Sequence, residues 1–256
     1  MTPPHPHVRT RGLSLRYRGK PAFLDVSLDV PRGSITAVVG PSGCGKTSFL
    51  TCLNRLTDLI PGAEVSGSIQ VDGSEVATGP CDVVALRRRV GMIFQKPNPF
   101  PLSIRRNLEF PLREHGLSRD LDATIETSLR DVGLWAEVKD RLHAPALSLS
   151  GGQQQRLSIA RALALKPDVL LLDEPCGALD PISSGVVEDL IKALKSRYTM
   201  VVVTHNLAQA RRIADQVAVF WVQDGSGRLI ECDTVERIFG SPKDPLTAAY
   251  VSGGRG

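Results

Sequence analysis

Apolar and polar positions along this chain follow two rhythms, and the switch between them divides the molecule. LSLRY (13–17) and FLDVSLDV (23–30) alternate with period two, which predicts half-buried strands. SITAVVG (34–40) is a near-continuous apolar run, which predicts a strand covered on both faces and ending in a glycine-rich turn. A helix is expected from Lys46 to about Leu56. GSIQVDGSEV (67–76) predicts a hairpin turning at Asp72-Gly73, and VGMIFQ (90–95) another strand. From Ile104 to about Leu142 the period is helical and charge-laced, with no strand. The strand–helix alternation then returns. It gives a helix from Gly151, strand DVLLLDEP (168–175), a helix over Ser183–Arg197, strand TMVVVTHN (199–206) and a helix near Leu207–Asp215. VAVFWVQDGSGRLIEC (217–232) reads as a hairpin followed by short helices.

This order predicts an α/β fold: a mostly parallel core sheet, an antiparallel region before it and a helical insertion within it. Residues 1–10 are expected to be disordered and 11–256 to form one domain, with a helical subdomain at about 103–150. No internal repeat interrupts the pattern.

Composition narrows the function. The 256 residues are 42% hydrophobic and 23% charged, ordinary for a globular chain. The net charge of +4 comes from 31 basic and 27 acidic residues. With only LRRRV and Arg211-Arg212 as basic clusters, solvated helix faces explain the charge better than a nucleic-acid footprint. Five scattered cysteines form no CxxC pair, which argues against a disulfide framework or zinc site and fits a reducing compartment. The proline-rich start lacks the apolar core of a signal peptide, and no run approaches the ~20 apolar residues that span a bilayer. Any work at a membrane would go through partners.

Three stretches carry chemistry. GPSGCGKT places Gly40, Pro41, Ser42, Gly43, Cys44, Gly45, Lys46 and Thr47, with Ser48 beside them, between a strand and a helix. This G-x-x-x-x-G-K-[ST] spacing lets backbone N–H groups wrap a β-phosphate. Lys46 can neutralise the β- and γ-phosphates, and the Thr47 hydroxyl can bind Mg²⁺. VLLLDEP pushes Asp173 and Glu174 out at a strand's C-terminal end, where ligands bind such sheets. Asp173 is expected to hold Mg²⁺ through water, and Glu174 to polarise the attacking water. LSLSGGQQQR (147–156) is a second glycine-rich turn opening a helix, and so a second phosphate cradle. His205 and Gln95 end two other strands. His205 is either structural or a γ-phosphate contact. The Gln95 side chain can bond a water or the metal. Tyr17 is most simply a strand-packing residue.

Taken together these motifs resemble the ATPase subunits of ABC transporters, over nearly the whole chain from about Leu13 to Tyr250. LSGGQ (149–153) matches the ABC signature and ALD (178–180) the D-loop. Tyr17, Gln95 and His205 fall at the positions of the aromatic A-loop, Q-loop and switch histidine. The resemblance implies a P-loop ATPase of ABC type binding ATP and Mg²⁺, with a RecA-like core. It implies an adenine platform at Tyr17 and a head-to-tail homodimer. There each ATP lies between one subunit's P-loop and Ser150, Gly151, Gly152, Gln153 and Asp180 of the other. Catalytic roles then fall to Glu174, His205 and Gln95, and metal contacts to Thr47, Gln95 and Asp173.

A finer resemblance, carried by QKPNPFPLSI, LNRLTDLIPGAEVSG, DEPCGALDP and RIFGSPKDPLTAAYVSG, is to the ATPases of bacterial phosphate importers. It implies two transmembrane permease subunits, an external phosphate-binding protein and a peripheral place on the cytoplasmic face of the plasma membrane. The proline-stiffened KPNPFP suits a contact with membrane subunits. Gly177 stands where many relatives carry serine, which implies looser geometry there. The rival readings are an ABC ATPase feeding another solute, such as an amino acid, and a non-transport ABC protein of DNA repair or translation. The second rival usually carries a coiled coil, zinc module or second cassette that this chain lacks.

Overall fold

A computed structural model describes residues 6–77 and 79–253. The chain enters through β1 (Val8–Tyr17) and β2 (Lys20–Val30), then β3 (Ile35–Val39) and α1 (Lys46–Leu53). A 3₁₀ turn leads to β4 (Ala63–Val71) and β5 (Ser74–Glu75), α2 (Val83–Arg89) and β6 (Val90–Ile93). The helical insertion holds α3 (Ile104–Glu114), α4 (Leu121–Asp131) and α5 (Trp135–Val138). The remainder is α6 (Gly151–Ala164), β7 (Val169–Asp173), α7 (Pro181–Leu194), β8 (Thr199–Val203), α8 (Leu207–Ile213), β9 (Gln216–Gln223), β10 (Ser226–Thr234), α9 (Val235–Gly240) and α10 (Pro245–Val251).

Among the described residues the strands form one sheet in the order β5-β4-β1-β2-β10-β9-β3-β8-β7-β6. Its first four strands pair antiparallel, and β9-β3-β8-β7-β6 pair parallel. Between them, β10 pairs antiparallel with β9 and meets β2 through a single bridge, Gly227 to Phe23. Every residue of β3, β7 and β8 is buried, which is why their sequences are apolar without alternation. The Asp72-Gly73 turn takes φ of 55° and 77°, the left-handed pair a two-residue hairpin requires.

Residues 1–5 lie outside the described residues, but the expected disorder does not extend to Thr10. Val8–Thr10 are strand, registered against Val30–Leu28 on one side and Val71–Ile69 on the other. His7 is buried, with Nδ1 2.7 Å from Thr199 Oγ1. Local prolines suggested disorder there; pairing with distant strands overrides them.

The arginines of LRRRV do more than solvate a helix face. Arg87 donates to the carbonyls of Asn54 and Arg55 just past α1, at 3.3 and 2.7 Å. Arg89 bonds Asp168 at 2.6 Å, anchoring the start of β7. They lie on α2, a short helix capped by Asp82, whose carboxylate accepts from Val84 and Ala85 N–H.

Candidate functional site

The parallel strands end level with one another, so their following loops gather at one edge of the sheet. Val38 of β3 pairs with Val203 of β8, Val203 with Asp173 of β7, and Leu172 with Ile93 of β6. The turn after β3 carries Gly40–Thr47, β7 ends on Asp173-Glu174, and the segments beyond β8 and β6 carry His205 and Gln95. This is the carboxyl edge at which open α/β sheets bind ligands.

The first cradle is built from backbone conformations that side chains resist. Gly43 and Gly45 have φ of 82° and 88°. A Cβ on Gly45 would also lie 2.9 Å from the Ala22 carbonyl oxygen. Gly45 begins α1 without a side-chain cap, so the first N–H groups of the helix stay open to an anion. Lys46 is only 7% exposed, and its Nζ donates to the carbonyls of Gly40 and Pro41 at 2.8 and 2.7 Å, curling back over the loop. A cavity of 330 Å³ opens here, lined by Ala22, Ser42, Gly43, Gly45, Lys46, Thr47, Ser48 and Glu174.

At the base of this site the Thr47 hydroxyl donates to Asp173 Oδ1 at 2.9 Å. Burial pushes the Asp173 carboxyl above its ordinary value; the Thr47 hydrogen bond and Lys46 oppose this, and Glu174 adds to it. Two hard oxygen donors side by side fit Mg²⁺, which binds through one or two protein oxygens plus substrate phosphates. Among the described residues no cluster of three His, Cys, Asp or Glu could hold a metal by protein ligands alone.

Glu174 is held in an uncommon backbone state, φ 44°. Its N–H bonds Val203 O, and its carbonyl accepts from Gly177 N–H, both at 2.9 Å. Gln95 Nε2 donates to Glu174 Oε2 at 3.1 Å, and His205 Nδ1 lies 3.0 Å from the same oxygen. A carboxylate only accepts, so this contact places the His205 proton on Nδ1. Both contacts fall on Oε2, and Oε1 remains available to accept a proton. Glu174, His205 and Gln95, three sequence candidates from three loops, therefore meet at one carboxylate. Gly177 closes around them: a Cβ there would stand 3.2 Å from both Gln95 Nε2 and Glu174 Oε2. The looser geometry expected at Gly177 is not what the structure has.

Other candidates are placed differently. Tyr17 ends β1, half-buried against the core, with its hydroxyl 3.4 Å from Ser48 Oγ. Ser150 caps α6 through a capping box: its hydroxyl accepts from Gln153 N–H at 3.4 Å, and Gln153 Oε1 accepts from Ser150 N–H at 3.0 Å. Gln153 Nε2 also donates to Glu137 at 2.6 Å. Gly152 packs so closely on α7 that a Cβ would meet Ser183 Oγ at 2.7 Å. Asp180 caps α7, accepting from Ile182 and Ser183 N–H at 3.0 Å each, and Ser183 holds its carboxyl below the ordinary range. None of Ser150, Gly151, Gly152, Gln153 or Asp180 lines the cavity at the P-loop.

Sequence reasoning missed two contributors. Arg161 of α6 pins the KPNPFP segment, donating to Asn98 O at 3.0 Å and Asn98 Oδ1 at 2.9 Å, with its guanidinium 4.2 Å from the Phe100 ring centroid. Gln155 is fully buried and bonds the carbonyls of Phe94 and Pro175. Neither contact has a local sequence signal, since the partners lie 20 to 63 positions away.

The family described as ABC transporter matches residues 23–177. Phosphate import ATP-binding protein PstB 1 of Nitrosococcus oceani is 59% identical over 252 residues, covering 97% of this chain and 91% of that protein. Phosphate import ATP-binding protein PstB 2 of a Synechococcus strain is 51% identical over 249 residues, covering 96% and 94%. In fold, the chain is similar to cbiO1 of Clostridium perfringens, part of the ABC transporter complex cbiONQ. The TM-score is 0.80 at 24% identity, over 93% of this chain and 92% of that one. The chain belongs to the ABC transporter family, as one of its ATP-binding subunits.

Proposed function

We propose that this chain is the ATP-hydrolysing subunit of a phosphate importer. In this reading it works as a head-to-tail homodimer on the cytoplasmic face of the bacterial plasma membrane. Two transmembrane permease subunits dock on it, and an external binding protein delivers phosphate to them. The identity of 59% over nearly the whole chain to a phosphate import ATP-binding protein carries the choice of solute. Among the described residues no helix is long and apolar enough to cross a membrane, which supports a reading in which partners form the translocation path.

The roles follow from the site. The open N–H groups of Gly43–Thr47 and the Lys46 ammonium receive the β- and γ-phosphates of ATP. Thr47 and Asp173, joined by Gln95, would hold Mg²⁺, which would supply charge neutralisation at the phosphates. Glu174 Oε1 takes a proton from water as the water oxygen bonds the γ-phosphorus, and the bond to the bridging oxygen of ADP breaks. Gln95 and His205 hold Glu174 so that this oxygen faces the nucleotide. Tyr17 stacks the adenine.

The second cradle finds its use in a second copy. Ser150–Gln153 and Asp180 do not line their own chain's P-loop cavity, which supports completion of that cavity by a partner subunit's signature turn. The γ-phosphate then joins the two subunits, and its loss separates them. The difference in affinity between open and closed dimers is the work available to the permeases.

Phosphate uptake tests the solute. In cells lacking this subunit, restoring the gene should restore ATP-dependent uptake of labelled phosphate, and Lys46→Ala should not. Restored uptake of an amino acid with phosphate uptake unchanged would contradict the proposal.

A further inference from the structure

Three consecutive glutamines open α6, and each points to a different task. Gln153 closes the capping box and reaches Glu137. Gln154 Nε2 donates to the carbonyls of Leu147 and Leu149, just before the signature turn. Gln155 turns inward. It is 0% exposed, and its Nε2 donates to Phe94 O at 3.3 Å and to Pro175 O at 3.0 Å. Phe94 precedes Gln95 and Pro175 follows Glu174. One side chain on the signature helix therefore holds the backbone on either side of the Gln95–Glu174 contact.

The amide's orientation is forced. Its two neighbours are both carbonyl oxygens, so the NH₂ group must face them. Oε1 is then left buried without a hydrogen-bond partner among the described residues. A buried acceptor without a partner weakens a fold, and an apolar side chain of the same length would fill this space without one. Packing alone does not account for an amide here. What it provides is control of two carbonyls, one of them next to a residue in the left-handed region that needs holding from outside.

We propose that Gln155 is a positioning residue that ties the signature turn to the hydrolytic groups of its own chain. The inference rests on the shared-site reading. In that dimer, the turn at Ser150–Gln153 engages the partner's nucleotide, while Gln95 and Glu174 act on the chain's own. A shift of α6 on engaging one nucleotide moves the Phe94 and Pro175 carbonyls through Gln155, and with them the groups that hydrolyse the other. The two sites are thereby linked through one side chain.

Gln155→Met keeps an unbranched chain of similar length and removes both donors. Measured on the full chain, its kcat should fall about 10- to 100-fold, the loss expected when a reacting group is misplaced by about an ångström. Nucleotide affinity should stay at the parent level and the thermal midpoint within about 2–4 °C of it, since the carbonyls left without a donor are offset by loss of the unpaired Oε1; a merely structural role would move midpoint and turnover together. Gln155→Leu, measured in parallel, should behave alike. A parental kcat would overturn the proposal. So would a fall in kcat matched by loss of nucleotide binding or of the thermal midpoint, or failure of both variants to fold, since each makes Gln155 a structural residue. ATP-dependent dimerisation of Glu174→Gln protein with Gln155 intact is measured alongside. Its absence would count against the shared site itself, whatever Gln155 does.

Discussion

Replacing Glu174 by glutamine changes little in shape and removes the one property the proposed hydrolysis step takes from this residue. In the structure Oε2 accepts from Gln95 and faces His205 Nδ1, at 3.1 and 3.0 Å. An amide satisfies both donors only by presenting its oxygen to them. Its NH₂ group then occupies the place of Oε1 and offers the attacking water a donor where an acceptor is required. A positioned general base contributes about 10²- to 10⁴-fold. At about 1.4 kcal/mol per tenfold, the loss is about 3–6 kcal/mol of transition-state stabilisation. Stability should barely respond. The residue stands at the edge of the site and keeps both hydrogen-bond neighbours, so the fold loses no more than about 1 kcal/mol. That corresponds to about 2–4 °C in the thermal midpoint for a chain of this size. The assay pairs steady-state ATPase with nucleotide binding and a melt on the same preparation. Turnover near the parent level, with binding intact, would remove Glu174 from the role of base. A collapse of binding together with turnover would instead make it a structural residue.

Further consequences can be read from the same site. Burial raises the Asp173 carboxyl above its unfolded value, so ionised Asp173 weakens the fold at neutral pH, and the strain is relieved as pH falls through its folded pKa. Asp173→Asn should therefore melt higher than the parent at neutral pH, with the gap closing in acid, while Mg²⁺-dependent hydrolysis is lost; a lower midpoint at neutral pH would contradict this. Gly45→Ala forces a side chain into φ 88° with its Cβ 2.9 Å from the Ala22 carbonyl. It should destabilise the fold by about 1–3 kcal/mol and weaken ATP binding; an unchanged melt and affinity would show that the loop has room to relax. Arg161→Ala frees the KPNPFP segment from α6, and should lower phosphate uptake per ATP hydrolysed in the reconstituted complex while nucleotide binding persists. Unchanged coupling would make that segment an ordinary structured loop.

The chemistry was more legible in the sequence than its support. Gly40–Thr47 and Asp173-Glu174 announce themselves because phosphate chemistry demands fixed residue types at fixed spacing, and the apolar runs before them place both at strand ends. What holds them was hidden. The strand at Val8–Thr10 depends on β2 and β4, so a proline-rich start read as disorder. α2 carries only seven residues, and its signal was a single capping aspartate beside a run of arginines. Arg87 and Arg89 looked like solvated charges because their partners lie 32 to 79 positions away. Gln155 sat in plain view inside LSGGQQQR, but only the packing of α6 against two loops shows that it faces inward.

The shared site is the claim on which the rest depends, and a tandem fusion of two copies tests it most directly. Each copy carries Glu174→Gln so that ATP is retained. In one fusion the first copy carries Lys46→Ala and the second Ser150→Arg. In the other, the first copy carries both changes and the second neither. Lys46→Ala removes the charge at the phosphates, and the arginine fills a turn proposed to receive phosphate through the Gly151 and Gly152 N–H groups and a small hydroxyl. The readout is nucleotide retained after rapid desalting. If each ATP lies between two copies, the first fusion keeps one whole site, the second copy's P-loop against the first copy's signature turn, and the second fusion keeps none. Retention by the second fusion and not the first would mean that each chain builds its site alone, and would contradict the account.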